Sequence, residues 1–367
     1  MSRAKTDKLF FVSVLILVVV GFFIFLSALM GLWTREGIDA GSLAFKQILI
    51  GIVGGTIACM VTSRIPYKTW RKYSPFLFIA GILVTLLVFV PGISFEHGGA
   101  KRWIYIGRFT FQPSEFLKLG FVVYFAALLS GHMKNGISSW TRSILPFFVL
   151  AGISGFILVK QPDIDTLAVI CLSGLAMLVA AHARWRHIGI IILIGLISLA
   201  GVFYSKPYIK ERIFTFLDPS RDPHGAGYQI QQSLIAIGSG GWFGRGFGQS
   251  IQKFGTLPEP VGDSIFSVAA EEFGFVGSVT LIFIFIFFLI RGLKIAARAP
   301  DSFGRLLSVG IVILIVSQSF INIAAMLGIL PLSGLPLLFV SHGGTALLAT
   351  LAEIGIVFNV SKYGARV

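Results

Sequence analysis

The sequence predicts an all-α integral membrane protein with about ten transmembrane helices. Of its 367 residues, 55% are hydrophobic and only 13% are charged, and the mean hydropathy is +0.88. A soluble chain of this composition could not cover its surface with polar groups, so lipid must be the solvent for much of it. The apolar runs are spread evenly, which predicts one polytopic membrane domain over residues 1–367.

Ten apolar runs are candidate spans. The first, 9–29, has 21 residues, which is long enough to cross a bilayer as a helix and too long for the core of a signal peptide. We therefore expect it to be retained as a span. The others lie at 45–63, 75–91, 115–130, 144–159, 164–181, 188–204, 264–290, 306–328 and 335–358.

The distribution of charged residues among the loops predicts how these spans are oriented in the membrane. The loops on one side hold most of the basic residues and, among the acids, only Asp7 and Asp301. By the positive-inside rule these loops and both termini are cytoplasmic. Orientation and anionic lipid account for most of the net charge of +14, so no nucleic acid is required. The basic residues are Arg3, Lys5, Lys8, Arg64, Lys68, Arg71, Lys72, Lys134, Arg142, Arg184, Arg186, Arg291, Lys294, Arg298, Arg305, Lys362 and Arg366.

The extracytoplasmic side carries the features that predict a function. It holds two long connections, 92–114 and 205–263, and the second is nearly 60 residues long. Long loops without linker composition usually carry function. An uncharged stretch at 328–345, punctuated by Gly and Pro, predicts a broken or re-entrant helix that lines a cavity.

Two groups of charged residues accompany the first outer connection. Lys101, Arg102 and Arg108 lie near a tryptophan, and they are either interfacial anchors or a cradle for phosphates at headgroup depth. Glu115 and Lys118 share one face at the start of the fourth span. They form either a structural ion pair or a pair that lines a functional cavity.

Two later segments are open to more than one interpretation. Asp163 and Asp165 lie in a tight turn, where they are explained as turn and cap residues, although two carboxylates could also bind a divalent cation. The glycine run at 238–246 permits a close backbone approach, as at a bound ligand. It lacks the Lys-Ser/Thr of a phosphate-binding P-loop, so by itself it is a weak signal.

Three acids accompany the eighth span. Asp263 is a candidate N-cap for this helix. Glu271 and Glu272 lie on different faces of it, because successive residues turn by about 100°. At least one of them should therefore pack against another span, paired with a basic residue.

Five motifs together resemble the SEDS family (shape, elongation, division and sporulation) of ten-span peptidoglycan glycosyltransferases. The resemblance covers essentially the whole chain. Residues 249–253 and 98–103 make the chain more similar to the division branch, FtsW, than to the elongation branch, RodA. The motifs, in the order and spacing of the family, are Gln112-Pro113-Ser114-Glu115, Gln161-Pro162-Asp163, Gly227-Tyr228-Gln229, Leu257-Pro258-Glu259 with Asp263, and Leu335-Pro336 with Ser341-His342-Gly343-Gly344.

The chain departs from the family pattern at several positions. Asp165 stands where the family has Gly, and His342 stands where it has Tyr in a Ser-Tyr-Gly-Gly-Ser-Ser motif. Val261-Gly262 replaces His-Thr before the catalytic acid, and Ser264 replaces the Phe that follows. The acid itself is retained at Asp263, so we expect activity with altered loop contacts and substrate fit.

The resemblance implies polymerisation of lipid II at the outer face of the cytoplasmic membrane, in septal cell-wall synthesis. Asp263 is then the general base, and cationic side chains steady the departing pyrophosphate. The outward loops at 92–114, 160–166, 205–263 and 328–345 are expected to converge on one cavity, with Asp263 at its mouth. A helix N-terminus would keep Asp263 ionised and weakly basic, whereas burial would raise its pKa. The residues assigned to substrate binding are Lys101, Arg102, Glu115, Lys118, Asp163, Arg245, Lys253, Ser341 and His342.

The same resemblance implies partners: lipid II, the nascent glycan chain, a class B penicillin-binding transpeptidase, other divisome membrane proteins and membrane lipids. A divalent cation, Mg²⁺ or Mn²⁺, is expected without a clear ligand set, and no organic cofactor is expected. The alternatives are a flippase for lipid-linked precursors and a RodA-type elongation polymerase. A secondary transporter is disfavoured because the chain shows no internal repeat.

Overall fold

The computed structural model describes residues 6–33, 39–97, 100–106, 109–133 and 140–364. The sequence predictions for Arg3, Lys5, Gly98, Gly99, Arg108, Lys134 and Arg366 lie outside these ranges. The helices are α1 (Lys8–Met30), α2 (Ala40–Lys46), α3 (Gly55–Arg64), α4 (Tyr67–Leu86), α5 (Ser114–Met133), α6 (Trp140–Lys160), α7 (Ile164–Ala180), α8 (Trp185–Ser205), α9 (Pro207–Leu217), α10 (Ala226–Ser239), α11 (Ile265–Ala297), α12 (Ser302–Met326) and α13 (Gly344–Ser361).

Each of the ten predicted spans coincides with a helical segment. The second span consists of α2, a π-helical segment Gln47–Gly54, and α3, joined end to end. Among the described residues, eight helical segments are long and apolar enough to cross a membrane, and two apolar helices, Ile144–Lys160 and Ile164–Ala180, are shorter. The predicted all-α membrane fold is therefore confirmed.

The last predicted span is wrong at its start, because α13 begins at Gly344 rather than near residue 335. The chain between α12 and α13 is irregular in backbone, yet Leu337 and Val340 are fully buried. Irregular backbone at membrane depth is tolerated only where protein surrounds it. This segment is the broken, inward-facing stretch that its Gly and Pro residues predicted.

The first outer connection forms a small antiparallel sheet that the sequence analysis did not predict. Its strands are β1 (Ser94–His97), β2 (Ala100–Ile106) and β3 (Phe109–Phe111), in the order β1-β2-β3. Ile104 lies opposite Ser94 on one side and opposite Phe111 on the other. The alternating residues of β2 are typical of a strand with one covered face. This strand carries Arg102.

The long outer connection is largely structured. α9 begins at Pro207, whose fixed φ angle suits the first turn of a helix. α10 begins after Asp222, whose carboxylate accepts the backbone N–H groups of Gly225 and Ala226 at 2.9 and 2.7 Å. A largely irregular segment, with one 3₁₀ turn at Gln252–Phe254, then leads from residue 240 to the start of α11.

α12 is the central helix of the bundle. In its most apolar stretch 78% of the residues are buried inside the protein, compared with 11% in α8. It packs against α5, α7, α11 and α13. Gln318 and Asn322, four residues apart on the same face, are fully buried polar residues. They provide hydrogen bonds from the core of the bundle to the outer connections.

α11 is interrupted at Gly274, which has a φ of 67° and a ψ of −164°. The interruption frees the N–H groups of Phe275 and Val276, and carbonyl groups of the glycine run accept them at 2.8 and 3.1 Å. A Cβ on Gly244 would lie 2.1 Å from the carbonyl oxygen of Glu272. The glycine run therefore makes the predicted close backbone approach, and the backbone that it approaches is that of α11.

Candidate active site

Asp263 lies at the end of the irregular segment, two residues before α11. The N-cap of α11 is Ser264, so the predicted capping role of Asp263 is wrong. Its carboxylate points towards Gly334, since a Cβ on Gly334 would lie 3.7 Å from Asp263 Oδ2. Gly334 has a φ of 58°, which favours glycine. The broken segment therefore passes the carboxylate with no side chain between them.

Asn322 fixes the backbone at this carboxylate. Its Nδ2 donates to the carbonyl oxygen of Asp263 at 2.9 Å and to that of Leu335 at 2.8 Å. One buried amide thus joins the acid, α12 and the broken segment. Such fixation matters because a base must be held at hydrogen-bond distance from the hydroxyl that it deprotonates.

Ser341 and His342, both predicted to bind substrate, contact the residues that precede Asp263. Ser341 Oγ donates to the carbonyl of Gly262 at 2.8 Å. The backbone N–H of His342 donates to the carbonyl of Val261 at 2.6 Å. The His342 Nε2 atom is buried and has no hydrogen-bond partner among the described residues.

The Gly-Tyr-Gln motif of α10 supports the residue after Asp263. Gln229 Nε2 donates to Ser264 Oγ at 3.0 Å. Gly227 lies so close to the preceding turn that a Cβ there would be 2.1 Å from the carbonyl oxygen of Pro219. The motif therefore packs the long connection against the start of α11.

Four outer connections meet at the carboxylate, as the sequence predicted. Arg102 donates from Nη2 to the carbonyl of Pro162, and a Cβ on Gly334 would lie 3.4 Å from Arg102 Nη1. Arg212 of α9 forms an ion pair with Asp165 at 2.8 Å. The connections 92–114, 160–166, 205–263 and 328–345 thus surround one site.

These surroundings raise the pKa of Asp263 to about 6. Burial is the largest cause, and the carboxylate of Glu259 adds to it, whereas the guanidinium of Arg102 opposes it. Of the two effects that the sequence left open, burial is the stronger. General base catalysis is most effective when the pKa of the base lies near the working pH.

Three buried polar atoms near Arg102 have no hydrogen-bond partner within the part of the chain that the structure describes: Arg102 Nε, Asp163 Oδ2 and Tyr208 Oη. Asp163 is only 1% exposed. Its other oxygen, Oδ1, accepts the N–H of Thr166 at 3.4 Å and caps α7, as predicted. Buried polar groups are normally paired, so these atoms require an explanation.

Lys253 lies in a different ion-pair cluster. Its Nζ is 2.7 Å from Glu272 Oε1, 2.9 Å from Ser27 Oγ and 2.9 Å from the carbonyl oxygen of Gly248. Lys253 is 0% exposed and Glu272 is 1% exposed. The cluster therefore ties the irregular segment to α1 and α11, and it does not present Lys253 to the outer surface.

Arg245 also forms an ion pair with a buried glutamate of α11. Its Nε lies 3.4 Å from Glu271 Oε1. Glu271 also accepts the hydroxyl of Ser250 at 2.6 Å and the N–H of Ile251 at 3.0 Å. The prediction that at least one of the two glutamates packs against another span and pairs with a base is confirmed for Glu272, which contacts Ser27 of α1 and Lys253. Glu271 pairs with a base as well, but its contacts are to the connection that precedes α11.

Glu115 and Lys118 form a buried ion pair at 2.9 Å, with side chains 4% and 1% exposed. Lys118 Nζ also donates to Gln318 Oε1 at 2.6 Å. The Glu353 carboxylate of α13 lies within electrostatic range of the pair. Of the two predicted roles, this geometry favours the structural ion pair. Lys101, in contrast, is exposed on β2.

The described residues contain no group of three His, Cys, Asp or Glu side chains that could hold a metal ion. Asp163 and Asp165, the pair considered for a cation, have separate roles, because Asp163 caps α7 and Asp165 pairs with Arg212. A protein-only metal site therefore does not fit these residues.

Sequence reasoning missed several residues of the site. Asn322 was the one with a usable signal, because an amide inside an apolar span is costly unless it forms hydrogen bonds. Tyr208 and Arg212 carried no signal, because an amphipathic surface helix commonly bears such residues. Gly334 was included in the broken segment, but its proximity to Asp263 depends on contacts between distant parts of the chain.

Known proteins resemble this chain over nearly its whole length. A family model described as cell cycle protein, FTSW_RODA_SPOVE, matches residues 7–366. Stage V sporulation protein E of Bacillus subtilis (strain 168) is 38% identical over 362 residues, 99% of this chain and 98% of that protein. The probable peptidoglycan glycosyltransferase FtsW of Geobacter sp. (strain M18) is 37% identical over 319 residues, 86% of each.

Solved structures show the same likeness in three dimensions. One is a chain from work on the structural coordination of polymerization and crosslinking by a peptidoglycan synthase complex. It has a TM-score of 0.78 and 28% identity and covers 97% of both chains. The rod shape determining protein RodA of Thermus thermophilus has a TM-score of 0.70 and 25% identity over 98% of both chains. The chain therefore belongs to the FtsW, RodA and SpoVE family of cell cycle proteins.

Proposed function

We propose that this protein is a peptidoglycan glycosyltransferase that polymerises lipid II into glycan strands at the outer face of the cytoplasmic membrane. Asp263 carries the proposal. It is a half-buried carboxylate with a raised pKa, held by Asn322 and facing the space where four outer connections meet. Relatives of this chain include proteins named as probable peptidoglycan glycosyltransferases at 35–38% identity.

The reaction is a displacement at an anomeric carbon. Asp263 takes the proton of the 4-hydroxyl of the acceptor sugar while that oxygen bonds to the anomeric carbon of the donor. The bond between that carbon and the diphosphate oxygen breaks, and the lipid diphosphate leaves with the electron pair. A positioned base contributes about 10²- to 10⁴-fold to such a step.

Charge on the leaving diphosphate needs a cation. Lys118, Arg245 and Lys253 were candidates, but each is engaged by a buried carboxylate. Lys101 is exposed on β2, so we assign this contact to its side chain. A divalent cation, Mg²⁺ or Mn²⁺, is kept only as an ion that arrives with the diphosphate. Chelation with EDTA should then lower the rate, and an unchanged rate would remove the cation from the proposal.

We place the activity in septal wall synthesis, with a class B penicillin-binding transpeptidase as partner and other divisome membrane proteins nearby. Relatives named FtsW support the division role. The likeness to a chain of a peptidoglycan synthase complex supports the transpeptidase partner. A fluorescent fusion that follows the division site supports septal synthesis, and one that follows the lateral wall favours the elongation branch.

Polymer formation tests the activity. Purified protein and its transpeptidase are incubated with labelled lipid II, and the products are separated on a gel. We expect a ladder of glycan chains that a muramidase digests. A flippase for lipid-linked precursors would move lipid II between the leaflets of a vesicle and form no ladder. Absence of polymer in the presence of the partner would contradict the proposal.

A further inference from the structure

We propose that Arg102, Asp163 and Tyr208 form the subsite for the acceptor sugar, whose 4-hydroxyl then meets Asp263. This inference rests on the proposed function and adds to it the location of one of the two sugars. Each of the three side chains contributes one buried polar atom that lacks a partner among the described residues. Such atoms in a folded protein usually receive a ligand or water.

The three side chains come together from separate connections. Arg102 reaches from β2 to the carbonyl of Pro162, next to Asp163. Tyr208, on α9, lies within electrostatic range of Arg102 and of Asp163. Arg102 also extends to Gly334, where Asp263 Oδ2 is adjacent. The three unpartnered atoms therefore lie around one guanidinium group that borders the proposed base.

The chemistry of these atoms fits a sugar. Arg102 Nε can only donate a hydrogen bond, the Asp163 carboxylate can only accept one, and the Tyr208 hydroxyl can do both. Burial raises the pKa of Tyr208, so its hydroxyl keeps its proton. Neighbouring hydroxyl groups on a hexosamine ring each donate and accept, so they match this mixed set.

The charge balance disfavours a diphosphate in the same place. Four carboxylates, those of Asp163, Asp165, Glu259 and Asp263, face two guanidinium groups, those of Arg102 and Arg212. The excess of negative charge repels an anion but not a neutral sugar. The sugar therefore lies on the Asp163 side of Arg102. The diphosphate contact remains with Lys101 on the strand.

The test separates acceptor from donor. The protein and its transpeptidase receive a preformed lipid-linked glycan oligomer as donor at saturation, and lipid II is varied as acceptor. Tyr208→Phe and Asp163→Asn should each raise the acceptor KM about five- to tenfold, because each loses one hydrogen bond to the sugar. The donor KM should stay within twofold.

Two matched controls make the same chemical changes elsewhere. Tyr204→Phe removes a hydroxyl from a side chain that is 75% exposed. Asp39→Asn changes another N-cap aspartate that accepts a single N–H group, and asparagine caps as well as aspartate does. Both controls should leave the acceptor KM unchanged. An unchanged acceptor KM in Tyr208→Phe and Asp163→Asn, or an equal rise in the donor KM, would overturn the subsite.

A second arm needs no turnover. Binding of N,N′-diacetylchitobiose to the Asp263→Asn protein is followed by saturation-transfer NMR, and added Tyr208→Phe should abolish the signal that added Tyr204→Phe preserves. Sugar binding that depends on Tyr208, together with no polymer from the protein with Asp263 intact and its transpeptidase, would refute the proposed function and leave the subsite. Normal polymerisation together with Tyr208 and Tyr204 variants that behave alike would refute the subsite alone.

Discussion

Two clusters of buried charge next to the outer connections differ in how completely they are paired. Lys253 Nζ has three donor hydrogens and three partners, in Ser27, Gly248 and Glu272. The cluster around Arg102 and Asp163 leaves three polar atoms without a partner among the described residues. A closed network can only stabilise the fold. Polar atoms without a partner, such as those around Arg102 and Asp163, can instead form hydrogen bonds with a ligand.

We expect the largest effect at Asp263, which lies next to the cluster around Arg102 and Asp163. Asp263→Asn should lower polymerisation by at least about a hundredfold, because the amide cannot accept the proton. Its melting temperature should not fall, since Asn322 contacts the backbone of residue 263 and not its side chain. Gel-based polymerisation and thermal unfolding in detergent measure the two quantities. Comparable activity in this variant and the wild type would remove Asp263 as the base.

The closed cluster should behave in the opposite way. Lys253→Met leaves Glu272 buried without its cation, which costs about 3–5 kcal/mol of unfolding free energy. We expect a large fall in melting temperature and in the yield of folded protein. The activity of each correctly folded molecule should fall far less than in Asp263→Asn. A stable Lys253→Met protein that makes no polymer would place Lys253 in the substrate site.

Asn322 lies between these two extremes, because it is a structural residue that acts on the site. Asn322→Leu keeps the branched shape of the side chain and removes the hydrogen bonds to the carbonyl groups of Asp263 and Leu335. We expect about a tenfold loss of kcat, because the carboxylate is less well positioned. The KM for lipid II should change little, and a loss confined to KM would contradict the positioning role.

The pH dependence should follow the ionisation of Asp263. A base works in its deprotonated form, so the rate should rise with pH through about 6 and level off above it. Glu259→Gln removes a negative charge that raises this pKa, and the rising limb should therefore move to lower pH. Arg102→Gln should move it to higher pH. Initial rates over a buffered pH series measure both shifts, and identical profiles would exclude Asp263 as the titrating group.

The smallest effect is expected at Asp165, where this chain departs from the family. Asp165→Gly restores the residue of the family pattern and breaks the partly exposed ion pair with Arg212. Such pairs contribute about 0–1 kcal/mol, so the melting temperature should fall by only a few degrees. Polymerisation at pH 8 should stay within about twofold. A much larger loss would show that the pair holds α9 over the site.

The membrane-spanning helices could be predicted from the sequence because they depend on local composition. Runs of apolar residues must be helical in lipid, since no water is available to hydrogen-bond their backbone groups. The predicted start of the last span was wrong because the prediction used local composition alone. Residues 335–343 are apolar enough for a span, but Pro336 and the glycines keep them irregular inside the protein.

The site was only partly predictable, because it depends on contacts between distant segments. The motif residues pointed to Asp263, and four connections were expected to converge there. Whether a charged residue pairs internally or faces a ligand is decided by its neighbours in space. Lys253 and Asp163 were both plausible substrate contacts in the sequence. In the structure Lys253 has its hydrogen bonds satisfied by Ser27, Gly248 and Glu272, whereas Asp163 Oδ2 has no partner among the described residues.

The backbone bonds between the glycine run and the break in α11 also decide where the long connection tolerates insertions. Any residue added between 241 and 246 would shift the register of the amides and carbonyls that complete α11. The turn at Asp218 and Arg221 is free of this constraint, with side chains 50% and 58% exposed. An affinity tag or a fluorescent domain can therefore be inserted at that turn without shifting the register of the backbone bonds that complete α11.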